Sequence, residues 1–249
     1  MEQNIQKITY FTYCGEANTA AVLQLARERA QELNVRKVVI ASETGRSALK
    51  ALDIFRGSDV QLVVVTHYTA TTIGPKGQIP IGLKRPEYAS RLKTLLENNV
   101  KIVQGTRPLA PPSRSIQWND PTPEGVLDKT LELFGAGTKI AIEVSVMATD
   151  GGEVTDGEEV IACAGTYKGL DTALVVRVSH SMNFFRDFEI RDIIARPRRR
   201  VKKLPEYGYK NWKGNMDQYY EGIAPIEDRS QYEDRAIDCG KRKENALGA

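Results

Sequence analysis

The residues with the clearest chemical potential lie between Ser42 and Ser47, in the order Ser-Glu-Thr-Gly-Arg-Ser. They follow the β-branched run Val38–Ile40 and precede a helical pattern, so they are predicted to join a buried strand to a helix. The first amides of a helix lack intrahelical acceptors and carry partial positive charge, and Gly45 lets an oxygen approach the backbone. The pattern therefore predicts a phosphate-binding turn, and the alternative is that Ser42 or Thr44 only caps the helix. The residues predicted to hold the phosphate are Ser42, Thr44, Gly45, Arg46 and Ser47.

Polar residues also follow two other predicted strands of the same half of the chain. Gly15, Asn18 and Thr19 come after the first strand, and Asn18 or Thr19 is expected to cap the next helix. Thr66 and His67 come after the third strand, and His67 could bind a ligand or transfer a proton. Ligands of open α/β sheets bind beyond the carboxyl ends of the strands, so we expect these turns to border one crevice. The alternative is that they are polar only because turns generally are.

Three other positions are weaker candidates. Gly165 and Thr166 begin a loop whose amides could face a ligand, although an ordinary turn explains them equally well. Cys14 lies near a predicted helix start, which favours a reactive thiol, but no base is identifiable beside it. Glu143 lies within an apolar run and needs a partner if it is buried.

Composition excludes several classes of protein. The net charge of +3 makes nucleic acid an unlikely partner of the whole chain, and no run of apolar residues is long enough to span a membrane. Three widely separated cysteines and only two histidines argue against disulfides and a zinc cluster. The N-terminus lacks a secretory pattern, so a cytoplasmic location is expected. No catalytic triad order, Walker loop or dinucleotide fingerprint is present.

The order of predicted elements indicates the fold class. The first third of the chain is predicted as strand, helix, strand, helix, strand, which favours an open α/β sheet that is mostly parallel and covered on both faces. Tyr68–Arg85 is predicted to be a long loop because it is rich in glycine and proline. The apolar run Lys139–Met147 is predicted to be a strand, and three further strands follow it.

The character of the chain changes near residue 197. The segment 196–203 carries six basic residues in eight, and residues 204–249 are poor in aliphatic residues but contain several aromatic ones. Such a segment cannot build its own core, so we interpret 1–197 as one domain and 198–249 as an extended basic and aromatic arm. The arm is expected to contact either its own domain, a second copy in a homo-oligomer, or a protein partner.

The turn at residues 42–48 resembles the phosphate-binding loop of the C-terminal domain of pyruvate kinases, where a sugar phosphate docks. Residues 5–197 as a whole resemble a family of free-standing pyruvate kinase alpha/beta domain-like proteins. The stretches that match are Gly15-Glu16-Ala17-Asn18-Thr19, Val63-Val64-Val65-Thr66, Arg114-Ser115-Ile116, Glu143-Val144-Ser145-Val146-Met147-Ala148, Gly169-Leu170-Asp171-Thr172-Ala173 and Asn183-Phe184-Phe185. The resemblance implies a three-layer α/β/α fold without a catalytic barrel and, in some members, bound flavin mononucleotide (FMN).

FMN is therefore the expected cofactor, with its phosphate at the turn. Met147 and Ala148 are expected to face the isoalloxazine ring. Side chains expected to meet the ribityl chain or the ring edge are Thr66, His67, Ser115 and Asp150. The first functional expectation is an FMN-binding protein, as an oxidoreductase or a subunit of one. The alternatives are a non-catalytic sensor of a phosphorylated metabolite and an interaction subunit that uses its arm.

Overall fold

A computed structural model describes residues 5–74, 77–110, 122–166 and 168–199, and its centre is a seven-stranded sheet. The strands in chain order are β1 Thr9–Phe11, β2 Lys37–Ala41, β3 Gln61–His67, β4 Ala70–Gly74, β5 Gly77–Ile81, β6 Lys101–Gly105, β7 Glu159–Ala164, β8 Thr172–Arg177 and β9 Glu189–Pro197. The sheet order is β1-β9-β8-β7-β2-β3-β6, and β4 and β5 form a separate hairpin. Only β8 runs against its neighbours, so the sheet is mostly parallel, as predicted.

Helices cover both faces of this sheet. They are α1 Thr19–Leu33, α2 Arg46–Ile54, α3 Ala89–Glu97, α4 Pro123–Leu131, α5 Ala136–Asp150 and the short α6 Phe184–Asp187. Val38 and Ile40 of β2 pack with α1, α2 and α3, whereas Val39 between them packs with α5. Because successive side chains of a strand point to opposite faces, a strand buried on both sides must be apolar throughout. The three-layer α/β/α arrangement is thus confirmed.

The predicted strand at Lys139–Met147 is wrong, because these residues form the middle of α5. Twelve of the fifteen α5 residues are buried, so the helix shows no polar face and its sequence resembles a buried strand. The hydroxyls of Ser145 and Thr149 donate to the carbonyls of Ile142 and Ser145, which satisfies them inside the helix.

The predicted loop at Tyr68–Arg85 is also partly wrong, because β4 and β5 pair within it as an antiparallel hairpin. The register places Thr72 opposite Ile79, and the chain continues through Gly82 and Leu83 back towards the sheet. A hairpin needs only short strands and a turn, so its glycines were misread as signs of a loop.

One edge of the sheet gathers the carboxyl ends of every strand except β8. Residues 12–15, 42–45, 106–107 and 165–166 leave the sheet at this edge, and Asp171 enters β8 there. Most of the candidate residues are therefore brought together, as expected for parallel strands. No helix within the described ranges is long and apolar enough to cross a membrane.

Candidate functional site

The turn from Ser42 to Ser47 starts α2, as the sequence predicted. Gly45 adopts a left-handed conformation with φ of 83°, and a Cβ there would lie 2.9 Å from Cδ1 of Leu83. Glycine is thus required by packing as well as by the backbone. The Oγ of Ser42 accepts a 3.4 Å hydrogen bond from the Ala48 amide, so this serine does cap α2, although at long range. Within the described residues, the amides of Gly45 and Ser47 find no protein acceptor.

Glu16 places its carboxylate between two cations beside this turn. Arg46, in the first turn of α2, approaches one carboxylate oxygen of Glu16 at 2.6 Å, and Lys168 approaches the other at 2.5 Å. The three residues come from the loops after β1, β2 and β7. Glu16 and Arg46 are about one-third exposed, at 34% and 33% of their side-chain surface. The arrangement is a cationic pair that surrounds one anion at the amino terminus of a helix.

Glu43 in the same turn is fixed by groups at the end of β3. Its Oε2 accepts hydrogen bonds from the Thr66 hydroxyl and the His67 amide, each at 3.1 Å, and its Oε1 pairs with Nδ1 of His67. The Thr66 hydroxyl in turn accepts from the Leu83 amide at 3.0 Å, which leaves its proton for Glu43. This network positions His67 and explains why the hairpin returns to the sheet at this point.

Met147 joins Thr66 and His67 at a small cavity between the ends of β2 and β3 and helix α5. The cavity measures about 20 Å³ and is also lined by Glu43, Arg107 and other residues. A volume near 20 Å³ admits about one water molecule. Any ring system whose phosphate is bound at the Ser42–Ser47 turn must therefore lie outside this cavity.

A buried ion cluster supports the cavity from the α5 side. Nη2 of Arg107 lies 2.7 Å from Glu143 and 3.3 Å from Asp128, and Nζ of Lys139 lies 3.2 Å from Asp128. The Leu109 amide also donates to Glu143. Glu143 is fully buried and paired, as the sequence required of a buried carboxylate, although it lies on a helix and not on a strand.

A second carboxylate, that of Asp171, organises the loops after β1 and β7. Its Oδ2 accepts from the amides of Gly15 at 2.8 Å and Thr166 at 3.1 Å, and its Oδ1 accepts from the Thr172 hydroxyl. Complete burial raises the pKa of the Asp171 carboxyl above its ordinary value, although its hydrogen-bond donors act in the opposite direction. The predicted site residues Gly15 and Thr166 thus satisfy an internal acceptor.

Other predicted site residues are also committed to the fold or lie elsewhere. The Thr19 hydroxyl accepts a hydrogen bond from the Leu170 amide, and the Asn18 side chain donates to the Tyr13 carbonyl. The predicted cap is therefore wrong, because neither side chain caps α1. A Cβ on Gly165 would lie 2.1 Å from the Gly169 carbonyl oxygen, so this glycine permits a close backbone contact.

Two residues expected to contact the flavin lie away from the turn. Ala148 is fully buried in the core beneath α5. Asp150 contacts His180 and the Ser181 amide, which follow β8 and lie at the opposite edge of the sheet. Spacing alone placed Asp150 at a strand end, whereas the helix carries it across the sheet. Ser115 lies outside the described residues.

The two described cysteines are buried. Burial raises the pKa of the Cys163 thiol to about 12, and Cys14 is 3% exposed. A buried thiol is a poor nucleophile because the thiolate is its reactive form. Among the described residues no cluster of metal-binding side chains is found.

Sequence reasoning missed Glu16, Lys168 and Asp171 as partners of the candidate residues. All three belong to glycine-containing turns at predicted strand ends, which was the one available signal. Nothing in their spacing indicated which cation would meet which carboxylate, because Glu16 lies more than a hundred residues before Lys168.

One comparison with known proteins gives a match over most of this architecture. A family model described as pyruvate kinase, alpha/beta domain, matches residues 20–178, which is more than half of the chain. The match runs from the first turn of α1 to just past the end of β8, so it includes the Ser42–Ser47 turn and the loop after β7. Gly15 and Glu16, in the loop after β1, lie before the matched range. Strands β1 and β9 lie outside the matched range.

Proposed function

The chain belongs to the pyruvate kinase alpha/beta domain family, and from that premise we propose that it binds a phosphorylated small molecule at the amino terminus of α2. FMN is the first candidate ligand. The phosphate would accept hydrogen bonds from the Gly45 and Ser47 amides and from the Ser47 hydroxyl. Arg46 and Lys168 would supply positive charge.

The observation that carries this proposal is the convergence of Arg46 and Lys168 on Glu16. Two cations from separate loops are fixed around one anionic group, and that group is partly exposed. A dianionic phosphate would bring more charge than a carboxylate and would accept additional amide hydrogen bonds at the helix start. Displacement of Glu16 by a phosphate is therefore the binding step that we propose.

The proposed FMN contacts are defined for the phosphate, whereas the ring would have no enclosed pocket. The cavity near Met147 has a volume of about 20 Å³, so the isoalloxazine ring would lie on the outer side of the crevice, past His67 and Tyr68. When bound, FMN would supply electron-transfer chemistry at its ring, and this chain would bind and orient it. An oxidoreductase, or a subunit of one, is the role that this ligand would imply.

The small size of the cavity favours a second candidate, a sensor of a phosphorylated metabolite without a large ring. Such a ligand would need only the helix terminus and the two cations. Binding would stabilise the fold without any reaction. The two candidates share the phosphate contacts and differ in what lies beyond them.

The test is a comparison of ligands on the full-length protein. FMN, riboflavin and glucose 6-phosphate are titrated while flavin fluorescence and the melting temperature are recorded. If FMN is the ligand, its fluorescence should be quenched saturably on binding, and riboflavin, which lacks the phosphate, should bind much more weakly. The sensor reading predicts a larger thermal shift with glucose 6-phosphate than with FMN.

A double variant and a control variant show whether the phosphate contacts are the proposed ones. The double substitution Arg46→Ala and Lys168→Ala should weaken the bound ligand by roughly tenfold or more, because two charge-assisted contacts are lost. Arg36→Ala is the control, since Arg36 pairs with Asp59 on an exposed surface at the opposite edge. Equal affinity in the double variant, or no saturable binding of any of the three ligands, would contradict the proposal.

A further inference from the structure

An apolar groove lies on the α5 side of the molecule, away from the Ser42–Ser47 turn. Its volume is about 150 Å³, and it is lined by Leu109 after β6, Leu127 of α4, Ile142 and Val146 of α5, and Phe184 and Phe185 of α6. A dry cavity on the order of this size holds one benzene-sized ring. The Glu124 carboxylate also lines the groove and offers an acceptor for the polar end of a tyrosine or tryptophan.

Large apolar side chains beside the groove face solvent. Phe185 is 85% exposed and Met182 is 92% exposed, and both belong to the turn that forms one wall. Leu133 and Phe134, between α4 and α5, are also exposed. Phe185 thus extends the apolar lining of the groove to the solvent-exposed surface.

The chain leaves the described fold at the end of β9. Nη1 of Arg196 donates to the Phe134 carbonyl at 2.9 Å, and the Arg198 amide donates to the Phe11 carbonyl at 2.9 Å. Fifty residues, 200–249, follow Arg199. Their attachment point is therefore fixed beside Phe134, at the start of α5.

The length and composition of that segment match the groove. The ten residues from Ala136 to Val146 cover about 15 Å of helix, whereas the eight residues from Arg199 to Tyr207 can extend over about 26 Å. Three aromatic residues, Tyr207, Tyr209 and Trp212, thus lie within reach of the groove without help from a second copy. We propose that the aromatic segment 204–220 of this chain docks in the groove of its own domain, with an aromatic ring packed between Leu127 and Phe185.

Two other occupants would leave distinct signatures. A second copy could donate its own segment, which would make the contact dependent on protein concentration. The internal segment 111–121, which contains Trp118, could enter the groove instead. Because Trp118 and Trp212 are the two tryptophans of the chain, each segment carries its own fluorescent reporter.

The experiment uses two full-length single-tryptophan proteins, W118F and W212F, each with and without Phe185→Asp. Phe185 is largely exposed, so the charge should leave the fold intact, which circular dichroism checks. In W118F, the substitution should shift the Trp212 emission to the red and raise its acrylamide quenching constant roughly twofold, because a docked indole regains contact with water. Leu96→Asp, at an exposed apolar residue of α3 on the opposite layer, is the matched control and should change neither quantity.

Three results would overturn the proposal. In the first, Trp212 is quenched as easily as free N-acetyltryptophanamide before any substitution at Phe185. In the second, Phe185→Asp changes Trp118 in W212F and leaves Trp212 unaffected. In the third, the shielding of Trp212 disappears on dilution together with a dimer observed by size-exclusion chromatography, which would assign the contact to a second copy.

Discussion

Gly15 and Glu16 are neighbours in the chain, and both connect the loop after β1 to the loop before β8. The Gly15 amide donates to the Asp171 carboxylate, which is completely buried. The Glu16 carboxylate instead meets Lys168 and Arg46 where it remains about one-third exposed. The first connection joins backbone amides to a buried carboxylate that water does not reach, and the second joins charged side chains around a partly exposed carboxylate.

The two connections differ in how much free energy is lost when each is broken. Removing a buried acceptor leaves its donors without partners, which lowers the free energy of unfolding. Breaking an exposed ion pair costs little, because water and dissolved ions replace the partner. We therefore interpret the Asp171 connection as structural and the Glu16 connection as one that a ligand can displace.

The largest expected effect is on stability at Asp171. Asp171→Ala leaves the Gly15 and Thr166 amides buried without an acceptor, so the free energy of unfolding should fall by about 2–6 kcal/mol, at about 1–3 kcal/mol for each amide. Asp171→Asn keeps one oxygen for both amides, and its NH₂ group can donate to the Thr172 hydroxyl, so the loss should stay within about 1 kcal/mol. Urea denaturation measures both, and equal losses would refute the assignment.

The next effect concerns pH and uses the same pair of proteins. Because burial raises the pKa of Asp171 in the folded protein above its ordinary value of 3.8, the folded state binds this proton more tightly than the unfolded state. Its contribution to stability is therefore most favourable below pH 3.8 and declines as pH rises through the raised value. Wild type should thus gain stability relative to Asp171→Asn as pH falls, and urea titrations at several pH values test this. A constant difference across pH would contradict it.

Substitution of Glu16 is expected to lower stability less than substitution of Asp171 and to strengthen ligand binding. Glu16→Gln weakens two ion pairs that share a carboxylate 34% exposed, although Lys168 is itself only 11% exposed. The free energy of unfolding should therefore fall by about 1 kcal/mol, less than at Asp171. The same substitution removes the anion that competes for Arg46 and Lys168, so phosphate-containing ligands should bind more tightly. Isothermal titration calorimetry with FMN measures the change, and weaker binding would show that Glu16 belongs to the site as a ligand group.

The smallest effect is expected in thiol chemistry. Cys163 should stay unreactive towards a disulfide reagent at pH 8 in the native protein, because its thiol has a pKa of about 12. Asp171→Ala should increase the labelling rate of Cys14 and Cys163 by local opening of the loops that Asp171 connects, whereas Glu16→Gln should not. A Cys239→Ser background removes the signal of the remaining cysteine. Equal labelling rates in Asp171→Ala and Glu16→Gln would contradict the interpretation that only the Asp171 connection is structural.

Much of the fold could be predicted from the sequence because burial on two faces leaves a clear pattern. The runs at Val38–Ile40 and Leu62–Val65 are apolar throughout, and each is followed by a turn and a helical pattern. Local chemistry also located the turn at Ser42–Ser47, where the structure begins α2 after a left-handed glycine. The sequence resemblance to the pyruvate kinase alpha/beta domain agrees with the family match.

The secondary-structure prediction was wrong where one sequence pattern fits two kinds of local structure. Helix α5 is buried almost all round, and its β-branched residues favour a strand as readily as a helix. Its misassignment moved Asp150 to the wrong edge of the sheet, since a helix and a strand place the same residue at different points. The hairpin β4–β5 was missed because its glycines indicate a turn and a loop alike.

By itself, the sequence determined the class of fold, the position of the turn that starts α2 and the need for a partner at Glu143, because each depends on residues close together in the chain. Only the tertiary structure decided that Gly15 and Thr166 serve Asp171, and that Glu16 lies between Arg46 and Lys168. Those choices depend on contacts between loops from separate strands. Burial, which the fold alone sets, then decides that the Asp171 carboxylate is enclosed and that the Glu16 carboxylate stays partly exposed to solvent.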